Sequence, residues 1–524
     1  MTSPVAAVSA PALGATTCAV VLGSLVVTYT LYVLEGVGPA FLPMLSDTFV
    51  PIPGNYISRI SLNACGIVLF PLAAVPYYST AQPDEWISRK ALAAMAMLGA
   101  VCLATVGAVC ESDDAPTCMG NETVHTASAI TFFACYDVYA VTLTLQGHFK
   151  SAERRTKALL YGALAVSLAS KVRLLGAEAL VGGVAHGGRQ LAMGGAAMRH
   201  AAADAGAATT DGAAAAADAP QSLGDQSFGD NLLAMFEYAD TGAIALWVVA
   251  MCRHKGQGMS FGFAPVAQPA TDRVAVDSVP VKMLALGTAG GGLATLGLTF
   301  AIALAQGTVQ PEQQWPYISD LWVQKPSDMI SRLAICATGA MIAVCQLGHF
   351  AAVQAPRAAK PRLTRLAHGL SMAAGAGLMG VGACNEEETP PLHYTSAALF
   401  FGAICLWMPL DLASSVGQWT GPSRALAVIA ASACIGAKLG QLWCTFKHGA
   451  GHHPYRTHAV DDIGVVSGVF SDVTPQVLEW CAALTGIGYF MLTHVAAPDA
   501  TFAVYAEGSS RSSKASKLAP LERA

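Results

Sequence analysis

A chain of 524 residues with 54% hydrophobic and only 12% charged side chains is not an ordinary soluble protein, because soluble domains carry about 25% charge. Its net charge of −5 comes without any block of Lys and Arg, which argues against a nucleic-acid partner. Runs of about 20 mostly apolar residues recur from end to end, each long enough to cross a ~30 Å hydrocarbon core, so the chain reads as an integral membrane protein.

The first sixteen residues are uncharged and lead straight into an apolar segment. A cleaved signal peptide would start basic and have a shorter core, so this segment is expected to stay as the first span. Spans are expected at 16–37, 58–80, 91–110, 125–146, 157–180 and 231–252 in the first half. The second half gives 281–305, 331–353, 363–383, 393–415, 424–446 and 475–496. The expected fold is all-α: a polytopic membrane protein of twelve transmembrane helices in two parallel six-helix repeats.

Loop charge sets the orientation. Arg89, Lys90, Lys150, Arg154, Arg155, Arg253, Lys255, Arg357, Lys360 and Arg362 fall in one set of turns, and Glu111, Asp113, Glu122 and Glu386–Glu388 in the other. The positive-inside rule then puts the N- and C-termini in the cytosol and the acidic loops in the lumen. Asn121-Glu122-Thr123 is an N-glycosylation sequon in one of these acidic loops. Residues 182–230 form a Gly/Ala-rich lumenal loop, and its counterpart is shorter and rich in histidine. His448, His452, His453 and His458 at these spacings read as solvated, and no metal site or cofactor is expected.

Of fourteen cysteines, most sit inside apolar segments and behave as small hydrophobes. Cys110 and Cys118 share one short loop and are the plausible disulfide pair. Gly287/Gly291 and Gly436/Gly440 are two GxxxG pairs, expected to form helix-packing seams.

Two segments 273 residues apart align without a gap. Pro43 to Gly66 and Pro316 to Gly339 share ten of 24 positions, including Ser46/Ser319, Asp47/Asp320, Pro53/Pro326 and Arg59/Arg332. The chain therefore divides into a first repeat at 1–260, a second at 261–500 and a cytosolic tail at 501–524. Six spans per half imply equal orientation and a pseudo-twofold axis along the membrane normal.

Recurrence also selects polar groups within or beside the spans, where charge is costly and function is the first question. Asp47, Arg59, His125, Lys171 and Glu237 are matched by Asp320, Arg332, His393, Lys438 and Glu479. All ten are directed to the lumenal third of the membrane. Internal neutralisation would pair Lys171 with Glu237, Lys438 with Glu479 and Asp47 with Arg59. A headgroup pocket would use Arg and Lys for phosphate and the acid with imidazole for sugar or amine groups. Ser46 with His125 and an acid could be drawn as an acyl-transfer site, but no GxSxG or HExxH signature stands near it. Asp137 and Asp411 do not align between the halves and rank lower.

The P-x-x-S-D…P…R approach to the second span, H-x-x-S-A-x-x-F-F at the fourth and Glu-Tyr or Glu-Trp at the sixth resemble the family of the FGF-receptor-activating protein and DRAM, the damage-regulated autophagy modulator. That six-span family includes the Golgi factor for GPI-anchor lipid remodelling and the N-terminal domain of a fungal protein that installs ceramide on GPI anchors. The resemblance implies an endomembrane or plasma-membrane protein with membrane lipids, and GPI-anchored proteins, as partners. It supplies no catalytic residue, so a non-enzymatic lipid-handling role is expected. A scramblase or solute transporter is the first alternative, and an adaptor working through the basic Ser-rich tail at 508–524 is the second.

Overall fold

A computed structural model of the protein describes residues 6–36, 43–79, 85–111, 120–171, 228–265, 273–311, 315–355, 358, 360–386, 388–414, 419–448, 474–496 and 500–507. The Gly/Ala-rich segment, Cys118, most of the His-rich loop and the end of the tail lie outside them.

Long helices dominate. The first half holds α1 (Ala10–Leu34), α2 (Gly54–Ala73), α3 (Arg89–Ala108), α4 (Glu122–Leu145), α5 (154–171) and α6 (Phe228–Lys255). The second holds α7 (Val281–Gln306), α8 (Ser327–His349), α9 (Pro361–Ala383), α10 (Pro390–Ser414), α11 (Gly421–His448) and α12 (Thr474–Val495). Ten of these are long and apolar enough to cross a membrane, α5 and α12 not being among them. Several starts are set by local chemistry. Ser9, Ser88 and Asn121 accept from the amides of Ala12, Ala91 and Val124, satisfying donors that a helix start leaves unpaired. The Asn121 cap uses Oδ1, which leaves Nδ2, the atom a glycan would modify.

The all-α expectation needs one correction. Four strands, β1 (Ala6–Ser9), β2 (Met259–Pro265), β3 (Arg273–Pro280) and β4 (Ala500–Glu507), form an antiparallel sheet in the order β1-β2-β4-β3. The sheet gathers the start of α1, the linker between the halves and the chain after α12 on one face of the bundle. Phe261, Phe263 and Phe502 cluster on it, the first and last rings stacked at 6.3 Å. Phe263 packs so tightly on α8 that a Cβ at Gly348 would lie 2.4 Å from its ring.

The expected glycine seams are corrected in part. A Cβ at Gly287, Gly291 or Gly436 would meet nothing within 4 Å, whereas one at Gly440 would lie 3.1 Å from Leu478 of α12. The close crossings lie elsewhere and recur. A Cβ at Gly66 would sit 2.8 Å from the Ala100 carbonyl, and one at Gly339 would sit 2.7 Å from that of Gly375. These equivalent sites let α2 approach α3 and α8 approach α9, as small residues do in membrane bundles.

The halves meet where α2 packs against α8. Tyr56 and Ile52 contact Cys336, Ala383 and Cys384 there. Beside them lies a buried ionic clamp. Arg59 donates through Nη1 to the Ala383 carbonyl at 2.7 Å and to Glu388 Oε2 at 2.8 Å. Arg332 donates to the other oxygen of Glu388 and pairs with Asp328 at 2.9 Å. Burial opposes charge on Glu388, but Arg59 and Arg332 outweigh it and hold the carboxyl below its ordinary range.

Candidate functional site

The loop entering α2 folds against α6. The Leu45 amide donates to Glu237 Oε2 at 2.8 Å. Asp47 turns back on its own loop and accepts from the Met44 amide at 3.1 Å. In the second half Asp320 accepts from the Tyr317 amide at 2.7 Å, so the turn is built twice. At the start of α4, His125 Nδ1 lies 2.6 Å from the Val109 carbonyl, and at the start of α10 His393 Nδ1 lies 2.6 Å from that of Cys384. A carbonyl only accepts, so Nδ1 carries the hydrogen and Nε2 of the neutral ring is an acceptor.

Behind these groups each half holds an open cavity, about 820 Å³ in the first and about 1020 Å³ in the second. The linings correspond position by position. Thr17, Val21 and Leu25 of α1 match Thr288, Gly292 and Leu296 of α7, and Phe132 and Phe133 match Phe400 and Phe401. Ser46, His125 and Glu237 line the first cavity as Ser319, His393 and Glu479 line the second. Each of these three enters from the loop before the second helix or from the start of the fourth or sixth. This set of polar groups lies at one end, away from the sheet, and most of the remaining wall is apolar, although Gln346 and Ser371 also line the second cavity.

The other recurring charges are placed elsewhere. Lys171 does not pair with Glu237. It pairs with Asp137 at 2.5 Å and Asp240 at 2.8 Å. Lys438 donates to Gln441 Oε1 at 2.5 Å and stands 3.3 Å over the Phe401 ring. Arg59, expected to pin its loop through Asp47, crosses instead to Glu388 of the second half. Asp137, ranked low in the sequence for want of a counterpart, is an ion-pair partner of Lys171. Asp411 accepts from Gln354 at 2.6 Å and from Tyr489 at 2.9 Å. Cys110 is disulfide-bonded, whereas Cys118 lies outside the described residues. Among the described residues no group of three metal-ligating side chains comes together.

The family profile described as Frag1/DRAM/Sfk1/Cwh43P N-terminal domain matches residues 10–181 and again 280–496. The chain belongs to this family. One match falls in each half, so this Frag1/DRAM-type chain is a duplicated unit. The resemblance read from the sequence motifs is thus shown, and with it a multi-pass integral membrane protein. Neither the curated proteins nor the solved structures contain a match.

Sequence reasoning missed the apolar wall. Thr17 and Thr288 stand 271 residues apart on helices too uniform in composition to align by eye, and nothing local marks them as facing a cavity. The recurrence of Phe132-Phe133 and Phe400-Phe401 was the available signal.

Proposed function

We propose that this Frag1/DRAM-family chain is a twelve-span lipid-handling protein of the endomembrane system, with α5 and α12 crossing the membrane as the remaining spans. The pair of equivalent cavities, each mostly apolar and each bearing an equivalent serine, histidine and glutamate, carries this reading. Each cavity takes one acyl chain. The Ser46, His125 and Glu237 end, and its counterpart, takes a headgroup bearing hydroxyl or amine groups, as GPI-anchor lipids do. Loop charge assigns the polar ends to the lumen.

The same geometry favours binding over acyl transfer. A nucleophile relay needs an acid on His Nδ1. Here Nδ1 faces a backbone carbonyl, and Glu237 is held by a backbone amide. The phosphate-cradle version is disfavoured because three of its four cations, Arg59, Arg332 and Lys171, are engaged by carboxylates, leaving Lys438 beside Gln441 and Phe401. Headgroup selection therefore falls to Ser46, His125, Glu237 and their second-half equivalents.

Native mass spectrometry of the purified protein with added phosphatidylethanolamine or phosphatidylinositol tests this. Two bound lipids per chain are expected. Ala129→Trp should remove one and Ala397→Trp the other, since each lines its own cavity. Lipid occupancy indifferent to both substitutions would end the proposal.

A further inference from the structure

The polar cluster around Lys171 is not explained by lipid binding. The Ser167 hydroxyl lies 2.8 Å from Asp137 Oδ1, 2.5 Å from Asp240 Oδ1 and 3.0 Å from Lys171 Nζ. An ammonium only donates, so Lys171 fills one lone pair on Ser167. Serine owns one hydrogen and can give it to one carboxylate. The other carboxylate oxygen then faces a serine lone pair at bonding distance, unless that carboxyl carries a hydrogen of its own. Charge counting agrees. Two carboxylates and one ammonium sum to −1, and one added proton makes the group neutral, which is the favoured state inside a bilayer.

A second, separate observation marks the place as more than a packed ion pair. A space of about 210 Å³ is lined by Asp137 and Ser167 together with Tyr136 and Trp247. The Tyr136 hydroxyl and Trp247 Nε1 are buried without a hydrogen-bond partner, on side chains 3% and 2% exposed. Unpaired polar groups thus sit on side chains that border the same gap as the acid and the serine. Tyr136 and Ile244 line this space and the larger cavity alike.

We propose that the first half binds one exchangeable proton within the membrane, shared through Ser167 between Asp137 and Asp240. Uptake adds one H⁺ from solvent to a carboxylate oxygen and raises the charge of the group from −1 to 0. Among the described residues, the charged groups facing the pair are Lys171 on α5 and each carboxylate itself, on α4 and α6. Tyr136 on α4 borders the same gap as Asp137, and Cys135 and Cys252 lie near Tyr136 in turn. Lys171 also stands 5.1 Å from the Phe133 ring centre. The second half keeps the lysine as Lys438 but has Cys405, Cys434 and Ala482 at the positions of Asp137, Ser167 and Asp240. It lacks the acids, so the two cavities differ in their response to protons.

Infrared difference spectroscopy on the full-length protein in lipid nanodiscs, with H⁺ as the probe and exchange into D₂O, tests the assignment. A protonated-carboxyl C=O band is expected at neutral pH and should vanish in Asp137→Asn and in Asp240→Asn. Lys171→Met removes the counter-charge, so the second acid must also take a proton and the band should rise about two-fold. A wild-type spectrum without the band, or a band left unchanged by both Asn variants, overturns the proposal. If the Asn variants fail to fold, an unchanged band in Lys171→Met overturns it alone.

Discussion

At the scale of single residues, the equivalent glycines Gly66 and Gly339 set how closely neighbouring helices approach. Their missing Cβ atoms would lie 2.8 and 2.7 Å from backbone carbonyl oxygens, which have nowhere to move without shifting a helix. Gly339→Ala is expected to destabilise by about 1–3 kcal/mol, the usual penalty for overpacking. Gly287→Ala, in open space, should be neutral or gain up to ~1 kcal/mol from helix propensity. Thermal unfolding of the two purified variants checks both. If Gly339→Ala melted with the wild type, α8 and α9 would not be held as described. Residues of this kind were half legible. His125 and His393 stood out because a motif recurs around them. The partner of Lys171 did not. Glu237 and Asp240 are three apart, so they share one helix face. The sequence cannot say which depth α5 reaches; the deeper acid is the one used.

At the scale of elements, helices were legible because apolar runs of span length have few other uses. The sheet was not. β1 and β2 lie 250 residues apart in sequence, so no hairpin turn announces their pairing, and each strand is short. The clamp between α2, α8 and the α9–α10 loop was equally hidden, since Glu388 comes from the other half. Its consequence is testable. Glu388→Ala leaves Arg59 and Arg332 buried without their shared partner and should cost about 3–5 kcal/mol. The pH dependence follows from the lowered carboxyl. A group with a depressed folded pKa stabilises above its unfolded value, ~4.3 for Glu, and the benefit fades as pH falls through the folded value. Glu388's contribution should therefore be flat at neutral pH and lost only in strong acid. In melts across pH, Glu388→Ala should lower stability at neutral pH and shrink the loss on acidification. Equal acid sensitivity in wild type and variant would assign the acid limb to other groups.

At the scale of the whole molecule, the halves are tied at opposite ends. The clamp sits where α2 begins, and the sheet sits where α1 begins and α6 ends. Each tie brings together residues that are remote in sequence, which is why the duplication was readable and the manner of joining was not. β4 is the central element of the second tie, because it pairs with β2 over Met259–Pro265 and with β3 over Arg273–Pro280. A chain ending at residue 499 should leave the transmembrane helices intact, since their backbone bonds are internal. It should also uncover Phe261 and Phe263 and make 256–280 far more sensitive to protease. The two ties meet α8 at opposite ends and share no residue, so their free energies should add. A protease site placed within 266–272 separates the two outcomes. Once cut, the wild type should remain one particle in native mass spectrometry, as should the truncated chain and Glu388→Ala taken singly. The chain carrying both changes should come apart into its halves. If it stays whole, the α2–α8 packing alone holds the duplicated unit together, and neither the sheet nor the clamp is what joins it.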